Sequence, residues 1–248
     1  MKVYVLEVGF SFNGKDDALY PVILEHEQEM ILVDCGYAGF LPLLEQVAQL
    51  KGISLQKLTG ILITHHDIDH MGALAEFKRE FPGLKIYSSV IEERYISGKQ
   101  KSLRLVQAEN MYDSLPEEYK PGARHFQDML RAMEPVEVNH TLLENEPLPI
   151  LNGVHVIATP GHMPGHISLY LKESKTLIAA DALVVEGSEL EIANPNFTLD
   201  LPLAIKSVEK LLNLEIDKIV CYHGGVVEDN IHQKISHLLS RYSHLTAQ

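Results

Sequence analysis

Cysteine is scarce in this chain of 248 residues: Cys35 and Cys221 are the only two. No disulfide framework is therefore visible, and a domain of this size does not depend on one bridge. Positive charge is scarce as well. Lys and Arg number 21 against 34 Asp and Glu, for a formal net charge of −13. A nucleic-acid surface needs clustered Lys and Arg, so no nucleic-acid partner is expected. The same balance opposes electrostatic attachment to anionic membranes. No apolar run approaches the ~20 residues that span a bilayer, and Glu7 arrives too early for a signal peptide. Repeats and low-complexity segments are missing too. The expectation is a cytoplasmic protein whose partner is a small molecule, with the oligomeric state left open.

What is present is apolar mass and histidine. Hydrophobic residues make up 46% of the chain, enough for a sizeable core. The sequence predicts a strand over Lys2–Gly9, a hairpin of Tyr20–His26 with Met30–Asp34, and a helix over Phe40–Leu50, where Leu43, Leu44, Val47 and Leu50 recur at helical spacing. Ser54 is placed to cap a short helix through Leu58. A buried strand over Gly60–Ile63, a helix over Ala73–Phe81 and a strand over Leu84–Tyr87 follow. This alternation gives α/β character. Residues 89–149 differ: they are mainly helical, punctuated by Pro116, Pro121 and Pro135, and form an insertion or lid within a single domain spanning residues 1–248. Strands return at Val154–Ala158, Ile167–Leu171 and Thr176–Ala180. A helix over Asp200–Leu212, a strand over Ile216–Cys221 and a closing helix from Asn230 to about His244 complete the chain.

The densest chemistry lies in Thr64-His65-His66-Asp67-Ile68-Asp69-His70, where five potential metal ligands fall within six residues directly after a buried strand. Polar groups placed there are costly to bury unless something pairs with them, and a divalent cation is the natural partner of imidazole and carboxylate. Alternate residues of an extended loop share a face, so His65 and Asp67 point one way together. Asp69 and His70 reach a neighbouring centre as the chain enters the next helix, whose close start Gly72 permits. Other apolar runs end in the same manner, at Asp34, His162, Asp181 and His223, and strand ends are where α/β proteins build sites. Two glycines after His223 allow close backbone approach.

In order and placement these elements resemble the metallo-β-lactamase superfamily: the early aspartate in Val33-Asp34-Cys35-Gly36, a His-x-His-x-Asp-His loop, a Gly161-His162 turn, a bridging Asp181 and the late His223. The resemblance implies a four-layer αββα sandwich, with two divalent metal ions at one edge of the sheets. It assigns His65, position 67 and His162 to one ion, and Asp69, His70 and His223 to the other, with Asp181 between them and Asp34 behind. The departure is at position 67, where the family has His and this chain has Asp67. Either Asp67 is itself a ligand, the favoured alternative, or the loop shifts and His66 coordinates. Zinc is the expected ion. The carboxylate makes the first site harder and leaves room for Mn²⁺ or Fe.

The implied activity is a metal-dependent hydrolase. Hydroxide activated by the metals attacks the carbonyl of a small ester, lactone, thioester or amide, with Asp69 both holding metal and orienting the nucleophile. Lactonases of the family often carry Tyr three residues after the bridging aspartate, and Val184 stands there, against a lactone. Two alternatives remain open: a mononuclear iron dioxygenase of the same fold, and a non-catalytic metal-containing ligand-binding module. His166, which begins a strand beside the His162 turn, is a lesser candidate for supporting the site, with a role outside it favoured. His26, His125, His140, His155, His232, His237 and His244 are expected outside it, and Cys35 and Cys221 as small buried residues.

Overall fold

The computed structural model describes residues 1–243 apart from Asn13, Asn145 and Pro149. The chain begins with β1 (Lys2–Val5), β2 (Val8–Phe12), β3 (Lys15–Leu19), β4 (Val22–His26) and β5 (Glu29–Val33), followed by α1 (Leu41–Leu50). After a 3₁₀ turn at Leu55–Lys57 come β6 (Gly60–Leu62), the single turn α2 (Ile68–Met71), α3 (Leu74–Glu80) and β7 (Lys85–Ser89). The insertion supplies α4 (Val90–Ile96), α5 (Leu103–Tyr112) and α6 (Lys120–Arg131), and the chain rejoins the sheet through β8 (His140–Leu142). The second half comprises β9 (Val154–Ala158), β10 (Ile167–Leu171), β11 (Thr176–Ala180), β12 (Val184–Glu186), β13 (Glu189–Glu191), α7 (Leu201–Leu211), β14 (Lys218–Cys221), β15 (Gly225–Val227) and α8 (Ile231–Arg241).

The strands assemble into a six-stranded sheet, β1-β4-β5-β6-β7-β8, and a five-stranded sheet, β15-β14-β11-β10-β9. Alternation along each strand decides which layer a side chain joins. Val22, Leu24, Ile31, Val33 and Leu62 point inward and meet Val154, Val156, Leu169, Ile178 and Val220 of the other sheet. Their neighbours Ile23, Leu32, Ile61 and Ile86 point outward and are covered by Leu44 and Ala48 of α1 and Leu74 and Phe77 of α3. On the far side Leu177, Ala179, Ile219 and Cys221 pack on Ile205 and Val208 of α7 and Ile235 and Leu238 of α8. This is the αββα sandwich the sequence implied.

Several boundaries differ from expectation. The single strand foreseen over Lys2–Gly9 breaks into β1 and β2, and β2 turns back on β3 as a two-stranded ribbon. The β3 segment Lys-Asp-Asp-Ala-Leu is largely exposed and offers no apolar pattern to read. Ser54 precedes only the 3₁₀ turn and makes no side-chain capping bond. The insertion is not wholly helical, because β8 adds in parallel to β7 and closes that edge of the sheet. Its helices pack on one another through Leu105, Leu130, Phe126, Met129 and Met133, and the same cluster takes in Ile68 of the ligand-rich segment. The expected end of the last helix near His244 lies outside the described residues, as do Asn145 and Pro149 of the insertion.

Candidate metal centre

Each chemically loaded side chain sits where a strand stops. Asp34 follows β5 in the left-handed region (φ 59°), and its carboxylate is the hinge of the site. Oδ1 accepts the Thr64 N–H at 2.8 Å, and Oδ2 accepts the Thr64 hydroxyl and His70 Nδ1–H, both at 2.8 Å. A carboxylate only accepts, so His70 Nδ1 carries a proton, and Nε2 is the nitrogen turned toward the other site residues. Because the Thr64 hydroxyl spends its hydrogen on Asp34, its oxygen accepts from His65 Nδ1 at 3.1 Å, and His65 Nε2 is left bare. Both Nε2 atoms are buried without a hydrogen-bond partner. Burial, reinforced by the neighbouring His70, holds the His65 imidazole well below its usual pKa, in the neutral form a metal requires.

The backbone of this segment is pinned from below. Cys35 N–H donates to the His70 carbonyl at 2.8 Å, and the Tyr222 hydroxyl donates to the Asp69 carbonyl at 2.6 Å. Burial raises the Tyr222 phenol well above its usual pKa, so it stays a donor. Gly72 permits the close packing: a Cβ there would lie 2.5 Å from Ala38 N and 2.6 Å from Tyr37 C, both backbone atoms. Gly72→Ala is therefore expected to cost about 1–3 kcal/mol of stability, read as a lowered urea midpoint with an unchanged m-value. Gly224, at φ 87°, plays the same part beside His223, since a Cβ would lie 2.3 Å from the Val185 carbonyl oxygen.

Two clusters of donor atoms result. In one, Asp69 Oδ2 lies 3.1 Å from His223 Nε2 and 3.8 Å from His70 Nε2, while Asp181 Oδ1 lies 3.3 Å from His70 Nε2 and 3.5 Å from His223 Nε2. In the other, Asp67 Oδ2 lies 3.5 Å from His65 Nε2 and 2.9 Å from His162 Nε2. The second oxygen of Asp181 faces His162 Nε2 at 3.6 Å, so this carboxylate stands between the clusters. All seven residues singled out in the sequence fall within three overlapping groups of ligand atoms, His65–Asp67–His162, His65–His70–Asp181 and Asp69–His70–His223.

The charges differ between the clusters. Burial opposes protonation of His70, but Asp181, Asp34 and Asp69 outweigh it and hold its pKa well above the ordinary value, so without a metal they favour a proton on Nε2 that a bound cation would displace. His223, also opposed by burial, is raised to about 8 by Asp181 and Asp69. Burial works against ionised Asp181, yet His223 and His70 keep its carboxyl well below the usual range. A pocket with this excess of carboxylate calls for a cation. Its unpartnered ligand atoms, His70 Nε2 and Asp181 Oδ1, together with Asp69 and His223, fit a divalent ion.

The cluster around Asp67 is already occupied by a side chain that the sequence pattern did not single out. Arg104, on α5 and 2% exposed, grips Asp67 with both arms: Nε to Oδ1 at 2.9 Å and Nη2 to Oδ2 at 2.6 Å. Burial would raise the Asp67 carboxyl, but the Arg104 guanidinium holds it well below its usual range. Gln107 accepts from Nη1, and Phe197 lies under the guanidinium at 5.3 Å. Asp67 and His66, the two alternatives at this position, face different ways. Asp67 occupies the N-cap position of α2 without a side-chain capping bond and faces His65 and His162. His66 turns away, bound through both its backbone N–H and Nδ1 to the Glu92 carboxylate, accepting from Leu103 N–H at 3.2 Å and stacked on Tyr95 at 4.4 Å.

His166 supports the site, although the sequence favoured a role outside it. The Asp181 N–H donates to its Nε2 at 3.1 Å, and its Nδ1–H reaches Thr159 at 2.8 Å. Burial and the nearby His162 push it down to about 3, so it remains a neutral acceptor. Cys35 and Cys221 are free, buried thiols. No helix among the described residues is long and apolar enough to cross a membrane.

Comparison with known proteins leads to the same place. The family model described as the metallo-beta-lactamase superfamily matches residues 20–223. The chain is 28% identical over 238 residues to the probable metallo-hydrolase YflN of Bacillus subtilis, covering 86% of this chain and 82% of that one. An uncharacterized protein of the same organism, YobT, is 31% identical over 219 residues, with 84% of each covered. A hydroxyacylglutathione hydrolase-like protein of Mus musculus is 29% identical over 192 residues, covering 75% of this chain and 50% of its own length. Among solved structures, the metallo-beta-lactamase family protein TTHA1429 of Thermus thermophilus superposes with a TM-score of 0.68 at 23% identity, over 98% of this chain and 79% of that one.

Proposed function

The chain belongs to the metallo-beta-lactamase superfamily, and from that premise we propose that it is a metal-dependent hydrolase of small acyl compounds, esters or thioesters with an apolar acyl arm. The observation that carries this reading is the facing pair of buried ligand atoms without a hydrogen-bond partner, His70 Nε2 and Asp181 Oδ1, 3.3 Å apart amid an excess of carboxylate. Asp69, His70, Asp181 and His223 would hold the ion, which we take to be zinc, with manganese and iron as alternatives for a set of two imidazoles and two carboxylates. The Asp67 half-site, closed by Arg104, is a poorer host. When bound, the ion supplies Lewis acidity and lowers the pKa of water.

The protein's own groups do the rest. The side chains of Asp69 and His223 are 16% and 31% exposed, whereas those of His65 and His70 are fully buried, so substrate enters on the Asp69–His223 side. Asp69 orients the attacking water and takes its proton, because its carboxylate stands at that mouth on a backbone anchored by Tyr222. Beside Arg104 lies a cavity of about 160 Å³ lined by Ala108, Met111, Leu115, Phe126 and Phe197, which suits an apolar acyl arm. The mouse relative's name supports an acyl group carried on sulfur.

The test is turnover of a panel of acyl thioesters and aryl esters by protein stripped with chelator and reloaded with zinc. Hydrolysis that returns with zinc and proceeds without oxygen is expected. Zinc-loaded protein that cleaves none of the panel, or turnover that requires oxygen as in a dioxygenase, would overturn the reading.

A further inference from the structure

The two half-sites are unequal. Around Asp69, His70, Asp181 and His223 the ligand atoms face one another with carboxylates in excess, and His70 Nε2 and Asp181 Oδ1 have no hydrogen-bond partner. Around Asp67 the charges are already matched, although His65 Nε2 beside it has no hydrogen-bond partner. The Asp67 carboxylate receives two parallel hydrogen bonds from the Arg104 guanidinium, the geometry in which an arginine–carboxylate pair is strongest. Asp67 Oδ2 also lies 2.9 Å from His162 Nε2. A carboxylate can only accept, so in this contact, the shorter of the two made by Nε2, His162 donates and turns an N–H rather than a lone pair toward the place a metal would take. His162 Nδ1 correspondingly has no partner. Arg104 Nη2 stands 3.3 Å from the same Nε2. Loading a second ion would mean breaking the paired bonds, moving the His162 proton and placing a divalent charge next to a buried guanidinium that cannot deprotonate.

We propose that Arg104 is a built-in cation that takes the place of the ion at the His65–Asp67–His162 half-site, so that the protein holds one divalent ion tightly and a second only weakly. This rests on the reading of the other half-site as a metal centre. The insertion then has a part in the chemistry of the site: α5 carries Arg104 into the centre from residues outside the ligand-bearing loops. Packing fixes its approach, since Leu105 on the same helix joins Ile68 and Leu130 in one apolar cluster, and Phe197 and Gln107 hold the guanidinium from the outer side.

The test is zinc titration of chelator-stripped protein followed by native mass spectrometry and a competing metal indicator. Wild-type protein is expected to take one equivalent tightly and a second roughly a hundredfold more weakly. Arg104→Met, which keeps length and apolar contacts but removes the charge, should tighten the second equivalent by about tenfold or more. Arg104→Lys, which keeps the charge, should leave it weak. Two wild-type equivalents of similar affinity would overturn the proposal while leaving the hydrolase reading intact. So would an Arg104→Met protein that still takes the first equivalent without tightening the second. No bound equivalent at all would overturn both. The wild-type titration stands on its own if a variant fails to fold.

Discussion

Asp69→Ala is expected to lower kcat/KM by about a thousandfold or more, on whichever ester or thioester the wild-type protein turns over, while the fold persists. A loss of that size corresponds to about 4 kcal/mol of transition-state stabilisation, within the range a metal centre and its proton acceptor supply together. Persistence of the fold follows from what Asp69 touches. Its side chain is partly exposed and faces His223 Nε2 and His70 Nε2, and its backbone is held by Tyr222 whatever the side chain. Removing one of several crowded carboxylates does not open the core. Asp69→Asn, nearly isosteric, should lose comparable activity, because the amide is a poor proton acceptor. Activity above about a tenth of wild type in either variant, with unchanged circular dichroism, would remove Asp69 from the machinery.

Asp34→Ala is expected to cost about 3–5 kcal/mol of stability. The carboxylate is 1% exposed and accepts from Thr64 N–H, the Thr64 hydroxyl and His70 Nδ1–H, so three buried donors are orphaned at once. Alanine at φ 59° adds backbone strain that aspartate and asparagine tolerate better. For a domain of this size the midpoint of thermal unfolding should fall by about 10 °C. Asp34→Asn separates structure from site. It keeps the shape and the left-handed backbone, but its amide cannot both satisfy Thr64 and accept from His70. Stability should fall less, and metal affinity should drop by about 10–100-fold through the misoriented His70 imidazole. Equal metal affinity in wild type and Asp34→Asn would show that Asp34 does not set the His70 tautomer.

Much of the fold was legible because burial writes itself into composition. β9, β10 and β11 have the limits the sequence suggested, since each is a buried run bounded by turn residues. The helix expected from Asp200 is α7, which Asp200 caps by accepting the Leu203 N–H at 2.9 Å. The β2–β3 ribbon and the β12–β13 hairpin were not legible, because their strands are short and partly polar. β8 was not either: His140-Thr141-Leu142 has no strand pattern of its own and becomes a strand by joining the edge of β7.

The candidate site divides along the same line. Its ligand-type residues stood out because a carboxylate or imidazole at the end of a buried apolar strand is costly without a cation or a hydrogen-bond partner. Asp34 aside, the groups that orient them did not. Arg104 lies 37 residues from the Asp67 it grips, inside an ordinary helical stretch, and Glu92, which turns His66 away, reads as a surface acid although it is fully buried. Asp67, standing in place of an imidazole, gave one available hint, that a buried carboxylate wants a cation. That cation is a side chain of the insertion.

Four side chains carry the proposed chemistry, and a bound ion would mark them directly. Crystals of zinc-reloaded protein, measured on both sides of the zinc absorption edge, should show a strong anomalous peak within coordination distance of Asp69, His70, Asp181 and His223. Zinc-loaded protein with no peak among those four side chains, or with its strongest peak elsewhere, would contradict the assignment.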